Sequence, residues 1–264
     1  MRAGSFAAAV ALAGLAFLLV PIVITIVMSF SSASSLQFPP PGFSLRWYES
    51  FFGNPRWVEA LVTSALLALV SSVIALVLGS LAAYGVARGR FPGRGLLEAN
   101  FIAPMILPAI VIAVALYLFL AKVGLLGSAL GLVLAHVILS APFVIMVVGV
   151  AIRGFDQRIE QIAFTLGASR RQMVLRVLLP NLLPSLASAY ILAFVSSFDE
   201  VIVTLFVAGT YETVPKRMFN ELVLEVNPTI TAIATIMIGV SLLATLLIAL
   251  ISGRRGVMGS MMGK

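Results

Sequence analysis

Read along its length, the chain alternates long apolar runs with short polar connections. A hydrocarbon layer of about 30 Å is crossed by roughly 20 apolar residues in a helix, because lipid offers no partner to an unpaired backbone group. Six stretches meet that demand, near Phe6–Phe30, Val58–Ala87, Leu96–Ala121, Ser128–Ile152, Ser185–Gly209 and Thr229–Ile251. The pattern predicts an all-α polytopic membrane protein with six transmembrane helices. The first run follows Arg2 and precedes the small residues Ser32–Ser34, as a secretory leader would. It is longer than a leader's core of about 7–15 residues, so a retained span is expected.

The polar connections are patterned too. Between the fourth and fifth spans, Asp156 is placed to cap a helix on which Ile159, Ile162, Ala163 and Leu166 fall at i, i+3, i+4 and i+7, a single apolar stripe. Gly167 supplies a left-handed stop, and Ser169 with Gln172 makes a capping box for a second helix running to Leu179, before Pro180. A one-faced helix outside the lipid must bury its stripe, either on the chain's own helix ends or in a groove of a soluble partner. In the connection from Ser31 to Trp57, the residues Trp47, Tyr48, Phe51, Phe52 and Trp57 suit a helix lying at the membrane surface.

Composition supports lipid as the main solvent: 61% of the 264 residues are hydrophobic and 10% are charged, too few to coat a soluble globule. The basic excess is topological. Arg2, Arg88, Arg90, Arg94, Arg153, Arg158, Arg170, Arg171, Arg176, Arg254, Arg255 and Lys264 fall on one face, against Arg46, Arg56, Lys122, Lys216 and Arg217 on the other. The richer face is expected to be cytoplasmic, with both termini on it. No stacking aromatics interleave the basic groups, so no nucleic-acid partner is expected. With no Cys and one His, no metal site and no catalytic residue are expected. His136 reads as a hydrogen-bonded interior residue of the fourth span. No glycine loop with the phosphate-cradling G-x-x-x-x-G-K-[ST] spacing occurs, so no ATP hydrolysis is expected of this chain. The segments expected are a first helix with its external connection (1–57), a transmembrane domain (58–252, with the patterned loop 153–184) and a cytoplasmic tail (253–264).

Asp199 and Glu200 are adjacent acids deep in the fifth run, some 20 Å from Ser185 at about 1.5 Å per residue. One central charge costs roughly 2.5–3.5 kcal/mol to insert, so neither acid is expected to face lipid. On a continuous helix Asp199 shares a side with Ser196, and Glu200 with Ser197 and Thr204, a polar band able to border a path. Pairing with another chain, or hydrogen bonding at a helix break, is the structural alternative. Gly127 and Gly131 have the spacing of close helix packing, and Pro104, Pro108 and Pro142 are expected to bend their spans.

At the patterned loop the chain resembles binding-protein-dependent ABC importer permeases. These carry Glu-Ala-Ala, three residues, Gly, nine residues, then Ile-x-Leu-Pro; here the same frame reads Gln161-Ile162-Ala163, Gly167 and Val177-Leu178-Leu179-Pro180. Gln161 and Ile162 depart from the family's Glu and Ala, and a carboxylate is displaced to Glu160. The resemblance implies a coupling helix, with Glu160, Gln161, Ile162, Ala163, Leu166, Gly167 and Ala168 facing an ATPase subunit. Ser197-Phe198-Asp199-Glu200-Val201, Phe206-Val207-Ala208-Gly209, Val214-Pro215, Asn227-Pro228-Thr229 and Arg46-Trp47-Tyr48 resemble the spermidine/putrescine-type permeases, in their second subunit.

That resemblance implies a multi-pass protein of the bacterial inner membrane. It also implies a second homologous permease, two subunits hydrolysing ATP with Mg, an external or periplasmic solute-binding protein, and no cofactor on this chain. It implies a small cationic amine as solute, with Asp199, Glu200, Ser196, Ser197 and Thr204 along its path. Opines or GABA-like amines are the alternative solutes. An ion-coupled secondary transporter is the alternative mechanism, although it would not require the loop frame.

Overall fold

Pro108 has no N–H to donate and forces Leu107 into extended backbone (φ −73°, ψ 143°), which ends one helix at Ile106 and starts the next at Ala109. The computed structural model describes residues 2–224 and 227–261. In chain order its helices are α1 (Arg2–Ser29), α2 (Arg46–Phe52), α3 (Pro55–Arg88), α4 (Arg94–Ile106), α5 (Ala109–Lys122), α6 (Ala129–Gly154), α7 (Gln157–Thr165), α8 (Arg170–Met173), α9 (Leu179–Phe198), α10 (Ile202–Val207), α11 (Val214–Leu224) and α12 (Thr229–Met261). No strand occurs among the described residues, where the one isolated bridge joins Ser31 and Phe43.

Among the described residues, five helices are long and apolar enough to cross a membrane, or six if α4 and α5 count as one span bent by 109°. The third expected span, Leu96–Ala121, is therefore corrected from a single helix to a broken pair. The fifth is corrected as well: the helix through α8 and α9 runs from Arg170 to Phe198 and stops there, so 199–209 does not continue it. Pro180 does not end a helix, because a π-helical stretch, Val174–Leu178, joins α8 to α9. Within it the Leu179 N–H reaches back to the Val174 carbonyl, and the Asn181 side-chain amide donates to the Val177 carbonyl at 2.6 Å. The loosened turn makes room for a residue that lacks an N–H. The tail expected at 253–264 is corrected: residues 253–261 continue α12, and residues 262–264 lie outside the described residues.

The chain divides into two compact units. The first joins Met1–Leu61 to Arg217–Ser241. Here the aromatics of the 31–57 connection are used for packing: Phe51 and Trp57 are buried with ring centroids 5.9 Å apart, while Phe52 is exposed. Trp47 donates from Nε1 to the Ser31 carbonyl (2.9 Å), and the Tyr48 and Ser29 hydroxyls are 2.7 Å apart, so α2 is pinned to the end of α1. The helix expected to lie at the membrane surface is thus anchored by its aromatics within this unit.

The second unit joins Val62–Lys216 to Leu242–Lys264 and contains two apolar cores. One gathers Val144 and Val148 of α6, Leu186, Ala189 and Ala193 of α9, and Ala163 and Met173 of the loop. The other gathers Ile112 and Leu116 of α5, Leu132 and Ala135 of α6, and Val203 and Val207 of α10. Near the second core, Gly127 (φ 71°) precedes α6 instead of lying within it. Its N–H donates to the Val207 carbonyl at 3.1 Å, and a Cβ on Gly209 would come 2.7 Å from its Cα. The expectation that Gly127 and Gly131 form a helix-packing face is therefore corrected: Gly127 meets the turn after α10.

Candidate functional site

The loop between α6 and α9 folds by the local rules its sequence carries. The Asp156 carboxylate accepts the Arg158 N–H at 2.9 Å and opens α7. At the other end, the Gly167 N–H reaches the Phe164 carbonyl and the Ala168 N–H the Ala163 carbonyl, both at 3.0 Å. This Schellman motif needs the left-handed backbone of Gly167 (φ 85°). Ser169 and Gln172 then cap α8 reciprocally: the Gln172 N–H donates to Ser169 Oγ, and the Ser169 N–H to Gln172 Oε1.

The two sides of α7 differ in chemistry. Ala163 is buried in the first core, while Ile159, Ile162 and Phe164 are exposed and Leu166 is 83% exposed. Gln161 is exposed and Ala168 half-buried. Glu160, expected among the residues facing a partner, instead turns inward and is buried. Arg88 at the end of α3 pairs with its Oε1 (Nη2 2.6 Å, Nε 2.8 Å) and also donates to the Phe155 carbonyl at 2.9 Å. The Tyr84 hydroxyl reaches Oε2 at 3.5 Å. The displaced carboxylate thus ties the loop to α3. Arg88 was missed as its partner; the signal available was an Arg in the last turn of an apolar helix.

The second candidate region is the break between α9 and α10. Asp199 caps α9, its N–H on the Val195 carbonyl at 3.1 Å, and its carboxylate is exposed with no hydrogen bond or ion pair among the described residues. Glu200 is half-buried, and its Oε1 accepts the Val203 N–H at 2.8 Å. It satisfies a first-turn donor of α10. Hydrogen bonding at a helix break, the structural alternative for this pair, is therefore what Glu200 does.

Ser196, Ser197 and Thr204 do not form one polar band with the acids, because the helix that would align them stops at Phe198. Ser196 is half-buried. Ser197 and Thr204 are buried and converge on His136 of α6: Nδ1 lies 2.8 Å from Ser197 Oγ, and Nε2 3.0 Å from Thr204 Oγ1. The interior role expected for His136 holds, with partners that the sequence did not reveal. Beyond the break, the buried Lys216 ammonium closes the following turn, donating to the Gly209 and Tyr211 carbonyls at 2.9 and 2.8 Å and pairing with Glu212 at 3.0 Å.

Comparison with known proteins agrees with this architecture. Residues 75–257 match the family described as binding-protein-dependent transport system inner membrane component. The spermidine/putrescine transport system permease protein PotC of Haemophilus influenzae is 35% identical over 238 residues, covering 90% of this chain and 92% of that protein. PotC of Escherichia coli K12 is 32% identical over 238 residues, covering 90% of each. A bacterial ABC transporter involved in the import of the acidic polysaccharide alginate shares the fold at a TM-score of 0.71, with 18% identity over 96% of each chain. The chain is a multi-pass membrane protein of the binding-protein-dependent transport family, a permease subunit of an ABC importer.

Proposed function

We propose that this permease carries a polyamine or a related cationic amine, and that the solute passes the α9–α10 break. The observation that carries the reading is the free, exposed carboxylate of Asp199 at an interruption in a membrane helix. Interrupted backbone at membrane depth is tolerated where it is buried in protein or lines a water-filled cavity, and an unpaired charge there costs roughly 2.5–3.5 kcal/mol against lipid. A negative group at such a place attracts ammonium groups in transit. The likeness to spermidine/putrescine permeases supports the same solute class.

The exposed side of α7, with Ile162, Leu166 and Gln161, docks on an ATP-hydrolysing subunit, while Glu160 and Arg88 carry its displacement to α3. Two such subunits bind ATP with Mg, a second permease completes the path, and an external binding protein delivers the solute. This chain binds no cofactor of its own. Both termini lie in the cytoplasm with 153–184. Residues 1–57 supply the first membrane helix and the external connection, and the importer-type transmembrane domain spans 58–252.

The assembled importer in proteoliposomes tests the path. Asp199→Asn removes charge and keeps shape, and we expect a loss of uptake for cationic solutes with basal ATP hydrolysis intact. Unchanged uptake in this variant would remove the solute-path reading. Thiol labelling tests the orientation: with Arg170→Cys or Gly89→Cys, reaction is expected from the cytoplasm, and with Thr210→Cys from outside. Labelling of Arg170→Cys from outside in intact cells overturns it.

A further inference from the structure

The proposed path does not use the buried imidazole of His136. His136 is 1% exposed and sits on α6 where the two apolar cores meet, after Leu132 and Ala135 of one and before Val137 and Val144 of the other. Its two ring nitrogens reach across that boundary. Nδ1 meets Ser197 in the last turn of α9, and Nε2 meets Thr204 on α10. The imidazole thus joins the two helices on either side of the break that carries Asp199.

The protons in this cluster can be placed. A hydroxyl has a single proton, and that of Thr204 is given to the Glu200 carbonyl at 3.0 Å. Thr204 Oγ1 is left only lone pairs to offer His136, so Nε2 must donate. Neutral imidazole then has a bare Nδ1, which accepts the Ser197 hydroxyl. The result is a one-way chain: Ser197 Oγ–H to Nδ1, Nε2–H to Thr204 Oγ1, and Thr204 Oγ1–H to the Glu200 carbonyl. It ends on the backbone of the break, at the Glu200 carbonyl.

We infer that His136, as the neutral Nε2–H imidazole, is a positioning residue that fixes the α9–α10 break from behind and so sets where the Asp199 carboxylate points. The inference rests on the reading of Asp199 as part of the solute path, but its geometry is tested separately. His136 does not touch solute. It acts through Thr204 and the Glu200 backbone.

Two measurements decide it. The chain has a single His and no Cys, so histidine labelling and an introduced thiol are each free of background from this chain. Nitrogen NMR of the full chain, labelled with ¹⁵N-histidine in lipid nanodiscs at neutral pH, should show one bare and one protonated ring nitrogen, the protonated one being Nε2. An Nδ1–H tautomer or an imidazolium overturns the proposal, and no variant has to fold for this result. In the assembled importer carrying Asp199→Cys, the thiol-labelling rate should change about tenfold when His136→Ala or Thr204→Val is added, the scale expected for losing a buried hydrogen bond. Thr204→Val keeps the side-chain shape and serves if His136→Ala does not assemble. An unchanged labelling rate overturns the positioning role. Unchanged uptake in Asp199→Asn, with the labelling change present, removes the solute-path reading and leaves the positioning role standing.

Discussion

In the loop of residues 155–173 an ion pair is buried and apolar side chains are exposed, whereas at the break of residues 199–201 neutral polar groups are buried and a carboxylate is exposed. Glu160 and Arg88 hold the loop from inside while Leu166 stands out at 83% exposure. His136, Ser197 and Thr204 hold the break from inside while Asp199 stands out. Each region presents the kind of side chain that its surroundings tolerate least: an apolar one outside the lipid, a charge within the fifth apolar run. A side chain left in such a place has its use in an encounter with something else, and the anchor behind it fixes the direction of that encounter.

The comparison can be broken from either anchor. The largest effect is expected for Glu160→Ala, which leaves the half-buried Arg88 guanidinium without its carboxylate and with only the Phe155 carbonyl; for a fully buried pair such a loss costs about 3–5 kcal/mol, and here it is expected toward the lower end. Thermal unfolding of the detergent-solubilised chain measures it, and a loss under about 1 kcal/mol, the range of exposed pairs, would mean the pair is effectively solvated. At the break the matching change is Ser197→Ala, which strips Nδ1 of its donor. Its expected cost is smaller, about 1–2 kcal/mol in the same assay, because the anchor there is neutral.

Gly167→Val tests the loop's turn instead of its anchor. A Cβ at Gly167 meets nothing within 4 Å, so its whole cost comes from the φ of 85°, about 1–3 kcal/mol. Because the turn directs α7 into α8, solute-stimulated ATP hydrolysis should fall while the protein still inserts; normal transport by this variant would contradict the docking role. The smallest stability change, within about 0.5 kcal/mol, is expected for Leu166→Ser, an exposed side chain with no core to leave. Uptake by the assembled importer should nonetheless drop. A variant equal to the parent in both measurements would remove Leu166 from the contact.

The loop was legible because its signals are local. Asp156, Gly167, Ser169 and Gln172 each act within a few residues, and the cap, the left-handed stop and the capping box form where the spacing puts them. Glu160 was misplaced because its partner lies 72 residues away on another helix, beyond the reach of any window. The break was illegible for a related reason. Hydropathy runs on through Phe198 to Val207, so apolar content alone continues the helix, while the side chains flanking the interruption are held by a histidine 61 and 68 residues upstream. The other break, at Leu107–Pro108, was legible as a bend at Pro108, since proline acts through its own ring, but the 109° turn was not.

The π-helical stretch Val174–Leu178 has a consequence for how this chain tolerates changes in length. Such a turn accommodates one residue more than an α-turn, so the side chains before Val174 and those after Leu178 keep their own phases. Removing one residue from Val174–Leu178 relaxes the stretch to ordinary helix and leaves Ala193 and Ser197 facing α6 as before. Removing one residue from the plain helix between Leu186 and Ala193 rotates everything beyond it by about 100°, turning Ser197 away from His136. The stretch 174–178 is thus a single-residue clutch between the loop and the break.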